Sequence, residues 1–140
     1  MPHDTAVRQK ARDALQHPVV VFDGMQARAI ARGFARAVSA SGHVIRACAI
    51  MPDHVHVVVM RHPQPVEQIV THLKTRATQQ LRAESLHPFE REVHTSCWAR
   101  SFWSRYLSDA EDVARSADYV NANPRRAGLK VQRWNFVKPA

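Results

Sequence analysis

Short β-branched runs alternate along this chain with longer segments whose apolar residues recur at helical spacing, and turn residues separate the two kinds of segment. These observations predict an α+β fold, a ferredoxin-like sandwich in which helices pack on an antiparallel sheet. One domain is expected over residues 1–140, with a core over about 17–130 and a C-terminal tail over 130–140, because 140 residues suffice for one hydrophobic core and not for two.

His17 to Phe22 is a β-branched run ending at Asp23-Gly24, which predicts a first strand closed by a turn. From Met25 to about Ser41, the residues Ala27, Ile30, Phe34, Ala37 and Val38 mark the apolar side of a helix, while Arg28, Arg32 and Arg36 form a row at i, i+4 and i+8 on another side. That row reads either as a solvated face or as a surface for a polyanion. Gly42 ends the helix. His43 to Ile50 predicts a second strand, joined through Met51-Pro52-Asp53 to a third over about His54–Arg61, since proline suits the turn and not a central strand. Pro63 and Pro65 introduce a long helix to about Ala83, with Val66, Ile69, Val70, Leu73, Ala77 and Leu81 inward and Lys74, Arg76 and Arg82 on its polar sides.

Residues 84–97 have little period and predict a loop. Trp98 to Leu107 is aromatic and basic by turns and predicts a strand. Its Trp98, Arg100 and Arg105 fit single-stranded nucleic acid, through base stacking and phosphate pairing, as well as they fit a core strand whose arginines reach to solvent. Ser108-Asp109-Ala110-Glu111 has the form of a capping box and opens a helix through about Asn123, closed by Pro124 and later Gly128. Lys130 to Ala140 reads as a tail that packs through Trp134 and Phe136.

Twenty Lys and Arg against twelve Asp and Glu give a formal charge of +8, mostly from arginine, and a pI near 10.5. Arginine pairs bidentately with phosphate, so the excess favours a polyanionic partner. Cys48 and Cys97 lie far apart with no C-x-x-C partner, which fits neither a disulfide framework nor a zinc-thiolate site. A reducing cytoplasm is the expected setting. The N-terminus lacks an apolar h-region and no segment approaches a membrane span, so a soluble, unexported protein with no membrane partner is expected.

Chemistry concentrates at Met51-Pro52-Asp53-His54-Val55-His56-Val57-Val58-Val59. On a strand alternate side chains share a face, so His54 and His56 would project together, roughly 6.6 to 7 Å apart along the strand, with Val55, Val57 and Val59 on the core side. Two imidazoles so placed can share a metal ion, and by spacing alone they also fit a solvent-facing pair. Far downstream, Val113, Ala117 and Val120 form the apolar stripe of the last predicted helix, and Tyr119 falls outside it. Arg115 lies one turn before Tyr119 and Asn123 one turn after, an alignment suited to polar chemistry.

Met51-Pro52-Asp53-His54-Val55-His56, Trp98-x-Arg100-x-Phe102 and Tyr119-Val120-Asn121-Ala122-Asn123-Pro124-Arg125-Arg126-Ala127-Gly128-Leu129 resemble the three signatures of the single-tyrosine HUH transposases, and within them the REP-associated tyrosine branch. The resemblance covers about residues 17–130. It implies the HUH endonuclease fold, a nucleophilic Tyr119, and a divalent metal ion, magnesium or manganese, held by His54, His56 and Asn123. Relatives often carry two adjacent asparagines before the proline, whereas this chain has Asn121-Ala122-Asn123, so Asn121 stands as the alternative third ligand. Trp103-Ser104 also stands where an acidic residue often precedes the arginine.

The implied activity is a transposase that cleaves and rejoins single-stranded, hairpin-associated DNA through a covalent 5′-phosphotyrosine. The alternatives are a domesticated binder of structured single strands that does not cut, and a metal-dependent hydrolase using water. The resemblance allows a homodimer and implies bacterial cytoplasm, at the nucleoid. Arg28, Arg32, Arg36, Lys74, Arg76, Trp98, Arg100, Arg105, Arg115, Arg125 and Arg126 are the candidate nucleic-acid contacts.

Overall fold

Asp23 opens the first helix as its N-cap: its carboxylate accepts the Gln26 N–H at 2.7 Å, and its own N–H donates to Gln26 Oε1 at 2.9 Å, the reciprocal pair of a capping box. The structure is a computed structural model that describes residues 21–60, 63–89, 97–98, 102–107 and 110–138, with backbone alone at 102–107 and 110–113. Helix α1, Gly24–Ser41, ends at Gly42, whose φ of 71° is the left-handed cap that glycine adopts without strain. Strand β1, Ile45–Ile50, and strand β2, Val55–Met60, pair antiparallel across the tight turn predicted at Pro52. Helix α2, Val66–Ala83, then leads to strand β3, Phe102–Leu107, and helix α3, Ala110–Arg126.

The expected α+β architecture is found, and its sheet is mixed. Its order is β1-β2-β3, and β3 runs parallel to β2, with Val55 opposite Phe102 and Met60 opposite Leu107. The reason is the connection: α2 carries the chain back to the starting end of β2, as a parallel pair requires. Of the predicted first strand, 17–20 lie outside the described residues. Val21 and Phe22 form no strand, and the Phe22 N–H donates to the Pro52 carbonyl at 2.6 Å.

Alternation along β2 sets the layers. Val55, Val57 and Val59 are buried with Ile45, Cys48 and Ile50 against Ile30 and Phe34 of α1 and Ile69, Leu73 and Leu81 of α2. Val58, with Ala47 and Ala49 of β1, is buried on the other face against Ala117 and Val120 of α3. Both faces are therefore covered, α1 and α2 on one side and α3 on the other. Burying each large side chain contributes about 1.5–3 kcal/mol. Helices α1 and α2 approach closely because Gly33 has no Cβ: one built there would lie 2.5 Å from the Ala77 Cα.

Two sequence expectations change at the end of α3. The residues of its predicted capping box before Ala110, Ser108 and Asp109, lie outside the described residues. Pro124 does not close the helix but sits inside its last turn, buried, and the turn continues through Ala127 N–H to Asn123 carbonyl at 3.1 Å. A proline removes one N–H from the helical ladder, and here its ring is buried. Gly128, at φ 76°, ends the element.

The tail packs as expected and does more. Phe136 is buried edge-on to Phe34, with ring centroids 6.0 Å apart. The Gln132 carboxamide accepts from the Ile50 N–H and donates to the Ile50 carbonyl, both at 2.8 Å, while the Lys138 N–H donates to the Ile45 carbonyl at 2.8 Å. Both ends of the outer edge of β1 are thus hydrogen-bonded by the tail, which blunts the edge that β1 forms among the described strands.

Candidate active site

Asp53 and His54 lie in the β1–β2 turn, and His56 is the second residue of β2. The strand starts at Val55, next to His54, whose carbonyl accepts the Met51 N–H at 2.8 Å and closes the hairpin, so the two histidines stand in register two residues apart. Their rings meet, with centroids 4.3 Å apart at 88°. The Asp53 carboxylate engages His54 Nδ1, which fixes the orientation of the ring; a carboxylate behind a histidine is the usual orienting partner where a histidine holds a metal. Asp53 was not singled out in the sequence, although its position beside a histidine is the signal for this role.

His56 shares its face of β2 with Val58, the face covered by α3. Burial, with the neighbouring His54 adding to it and Asp53 opposing, lowers the His56 pKa to about 4. Its imidazole is therefore neutral near pH 7, the form that ligates a metal.

On α3 the buried residues Ala117, Val120 and Pro124 define the side toward the sheet. At about 100° per residue, Tyr119 and Asn123 fall on one flank of that side and Asn121 on the other. Tyr119 is 49% exposed and Asn123 half-buried. Asn121 instead lines a cavity with Cys48 and Trp134, toward the tail. His56, Tyr119 and Asn123 thus belong to one layer, the α3 side of the sheet. Above Tyr119, the Arg126 guanidinium lies 4.7 Å from the ring centroid, a cation–π contact not foreseen from the sequence.

Among the described residues no group of three or more His, Cys, Asp and Glu is placed to hold a metal. A metal here would rest on the two imidazoles and a carboxamide. That donor set, with His56 neutral and His54 oriented by Asp53, fits a divalent ion that keeps open positions.

The candidate nucleic-acid residues divide by layer. Arg32 makes a two-pronged ion pair with Glu84, its Nε donating at 2.8 Å, and Arg36 donates to Gln80 at 3.1 Å. These two members of the arginine row fasten α1 to the end of α2. Arg28 stands beside Trp134 and Phe136 of the tail. Arg76 donates to His72 at 3.3 Å, and burial lowers the Lys74 pKa. All of these lie on the layer opposite α3. Of the two readings of Trp98, its burial fits the core one: it is 6% exposed, stands outside β3, packs on Phe22 and donates its indole N–H to Thr78 at 2.8 Å. It also lines a cavity with Lys74 and Arg82. Arg115, Arg125 and Arg126 are exposed on the helix of Tyr119. Arg105 sits opposite Val58 in register, and Arg100 lies outside the described residues.

Cys48 and Cys97 are free and buried, with the Cys97 thiol pushed up to about 11 by burial, so neither is an activated nucleophile. No helix among the described residues is long and apolar enough to cross a membrane. The family model described as "Transposase IS200 like" matches residues 16–123, a span that takes in both histidines, the tyrosine and both asparagines. No curated protein and no solved structure matches the chain.

Proposed function

The chain belongs to the IS200-like transposase family and is a transposase acting on DNA, and on that premise we propose that it cuts and rejoins a single DNA strand through Tyr119. The observation that carries this reading is the exposed phenol of Tyr119 on the same layer of the sheet as the neutral imidazole of His56. A tyrosine buried in the core would serve packing, whereas this one is open to a phosphodiester.

Tyr119 Oη attacks phosphorus, the P–O3′ bond breaks, the phenol proton is lost to solvent and the departing 3′ oxygen gains one. The product is a 5′-phosphotyrosine with a free 3′-hydroxyl. Attack by a later 3′-hydroxyl reverses the step and rejoins DNA without another energy source. His54, His56 and Asn123 would hold the divalent metal, magnesium or manganese, which offsets the charge on the phosphate oxygens when bound. Asn123 is assigned over Asn121 because it shares the flank of Tyr119. The substrate is a single strand beside a hairpin, and the Asn123-Pro124-Arg125-Arg126-Ala127-Gly128-Leu129 stretch supports the REP-associated branch.

The test is denaturing electrophoresis after incubation with labelled hairpin DNA and manganese, for the parent protein and for Tyr119→Phe. The parent should give a covalent protein–DNA band on the Tyr119 peptide, and the variant should bind but give neither adduct nor cleavage. Cleavage without adduct would replace this reading with hydrolysis by water. Binding without cleavage by the parent would replace it with a non-cutting DNA-binding protein.

A further inference from the structure

The cavity between α3 and the tail has a volume of about 390 Å³, within the size range of small-ligand sites, and neither the histidines nor Tyr119 line it. Its floor is the outer edge of β1 at Cys48, its walls are Val131 and Trp134, and Asn121 and Arg133 stand at it. Along β1 the Ile50 N–H and carbonyl turn outward to Gln132, whereas the Met51 N–H turns inward to the His54 carbonyl. Backbone groups of an antiparallel strand alternate in this way, and the bulge of β1 lies earlier, between Ile45 and Ala47. Cys48, two residues before Ile50, therefore directs its N–H and carbonyl to the same outer edge, between the two points where the tail fastens it. The cavity thus has a backbone donor beside a backbone acceptor, a carboxamide with both functions, an apolar and aromatic wall, and a cation.

We propose that this cavity binds one unpaired nucleobase of the DNA strand that Tyr119 cleaves, with adenine preferred. Adenine carries a donor beside an acceptor on both of its pairing edges, which complements a backbone N–H and carbonyl on one side and an asparagine carboxamide on the other. Trp134 and Val131 cover its apolar surface, and Arg133 faces the phosphate. Asn121 and Tyr119 are two residues apart on opposite flanks of α3. A strand laid across the helix would therefore present the base in the cavity within a few nucleotides of the phosphate at Tyr119. The assignment gives Asn121 a part in substrate selection that is separate from the metal site. It rests on the reading that the substrate is a single DNA strand.

The test uses full-length Tyr119→Phe, which binds without cutting, and hairpin DNA whose single-stranded flank carries one abasic site at each position in turn. Binding is read by fluorescence anisotropy at fixed salt. One position near the cleaved phosphate should lose about tenfold in affinity, and guanine, cytosine or thymine placed there should bind more weakly than adenine. Adding Asn121→Ala should reduce that abasic penalty to within about twofold while leaving the other positions unchanged. Asn121 is exposed, and an unchanged melting curve for this variant confirms that the fold is intact. If DNA is bound but no position shows a penalty that depends on Asn121, the cavity is not a base site and the proposal falls alone. If the parent neither binds DNA nor forms an adduct, the transposition chemistry proposed above falls, and this proposal with it.

Discussion

The Arg126 guanidinium lies over the Tyr119 ring, 4.7 Å from its centroid, two helical turns further along α3. The contact covers one face of the ring of the proposed nucleophile and sets a positive charge beside it. It needs the last turn of α3 to persist past Pro124, which it does. An exposed cation–π contact contributes about 0.5–1 kcal/mol, so Arg126→Ala should slow adduct formation by roughly two- to fivefold from this contact alone, with any lost phosphate contact adding to it. Arg126→Lys should recover part of the rate. Single-turnover adduct formation measures this, and an unchanged rate in Arg126→Ala would remove the ring contact from the mechanism.

Replacing His54 and His56 together with alanine should abolish manganese-stimulated cleavage while leaving the protein folded. The core face of β2 is carried by Val55, Val57 and Val59, all fully buried, and not by the histidines. Manganese titration by calorimetry checks metal binding apart from activity. Nicking by the double variant at the parent rate would refute the metal assignment.

Folding stability of the metal-free protein should fall as pH is lowered from about 6.5 toward about 4. His56 has an ordinary pKa of 6.5 when unfolded and about 4 when folded. Between those values the unfolded chain binds a proton that the folded chain does not, so acid favours unfolding. His72, lowered chiefly by burial with Arg76 adding to it, acts in the same direction. Thermal midpoints at pH 7 and pH 5 in chelator should show a smaller decrease for His56→Gln than for the parent. An equal decrease would show that His56 does not carry the effect.

Gly33→Ala should destabilise the protein by about 1–3 kcal/mol, the usual cost of overpacking. The added methyl would meet backbone atoms of Ala77 and the Arg76 carbonyl, at 2.5 to 2.7 Å, and backbone cannot yield as a side-chain tip can. Urea denaturation gives the value. A variant as stable as the parent would mean that α1 and α2 separate without penalty.

Gln132→Ala should cost about 1–3 kcal/mol, because it strips the Ile50 N–H and carbonyl of their tail partner at a partly buried site. Amide exchange at Ile50 should accelerate in the variant. Unaltered protection there would mean that the carboxamide clasp is replaced without loss.

The sequence by itself determined the three helices and the three described strands, and it named the candidate reactive groups. Helical spacing of Ile30 and Phe34, and of Ile69, Leu73 and Leu81, marks the buried sides of α1 and α2, and alternation at Val55, Val57 and Val59 marks the core face of β2, because these periodicities are local consequences of backbone geometry. Tyr119 was set apart from the stripe of its helix by the same count. Tertiary structure decided what local periodicity does not contain. The arginine row of α1 looks uniform in sequence, yet Arg32 and Arg36 pair with Glu84 and Gln80, more than forty residues away. Trp98 looks like part of an aromatic strand and is a core residue, since its burial depends on Phe22 and Thr78. Asn121 and Asn123 are nearly equivalent in sequence, and only the packing of Ala117, Val120 and Pro124 against the sheet turns one toward the tail and the other to the flank of Tyr119. Contacts between distant segments depend on how layers stack, and a chain read one turn at a time carries the faces but not their partners.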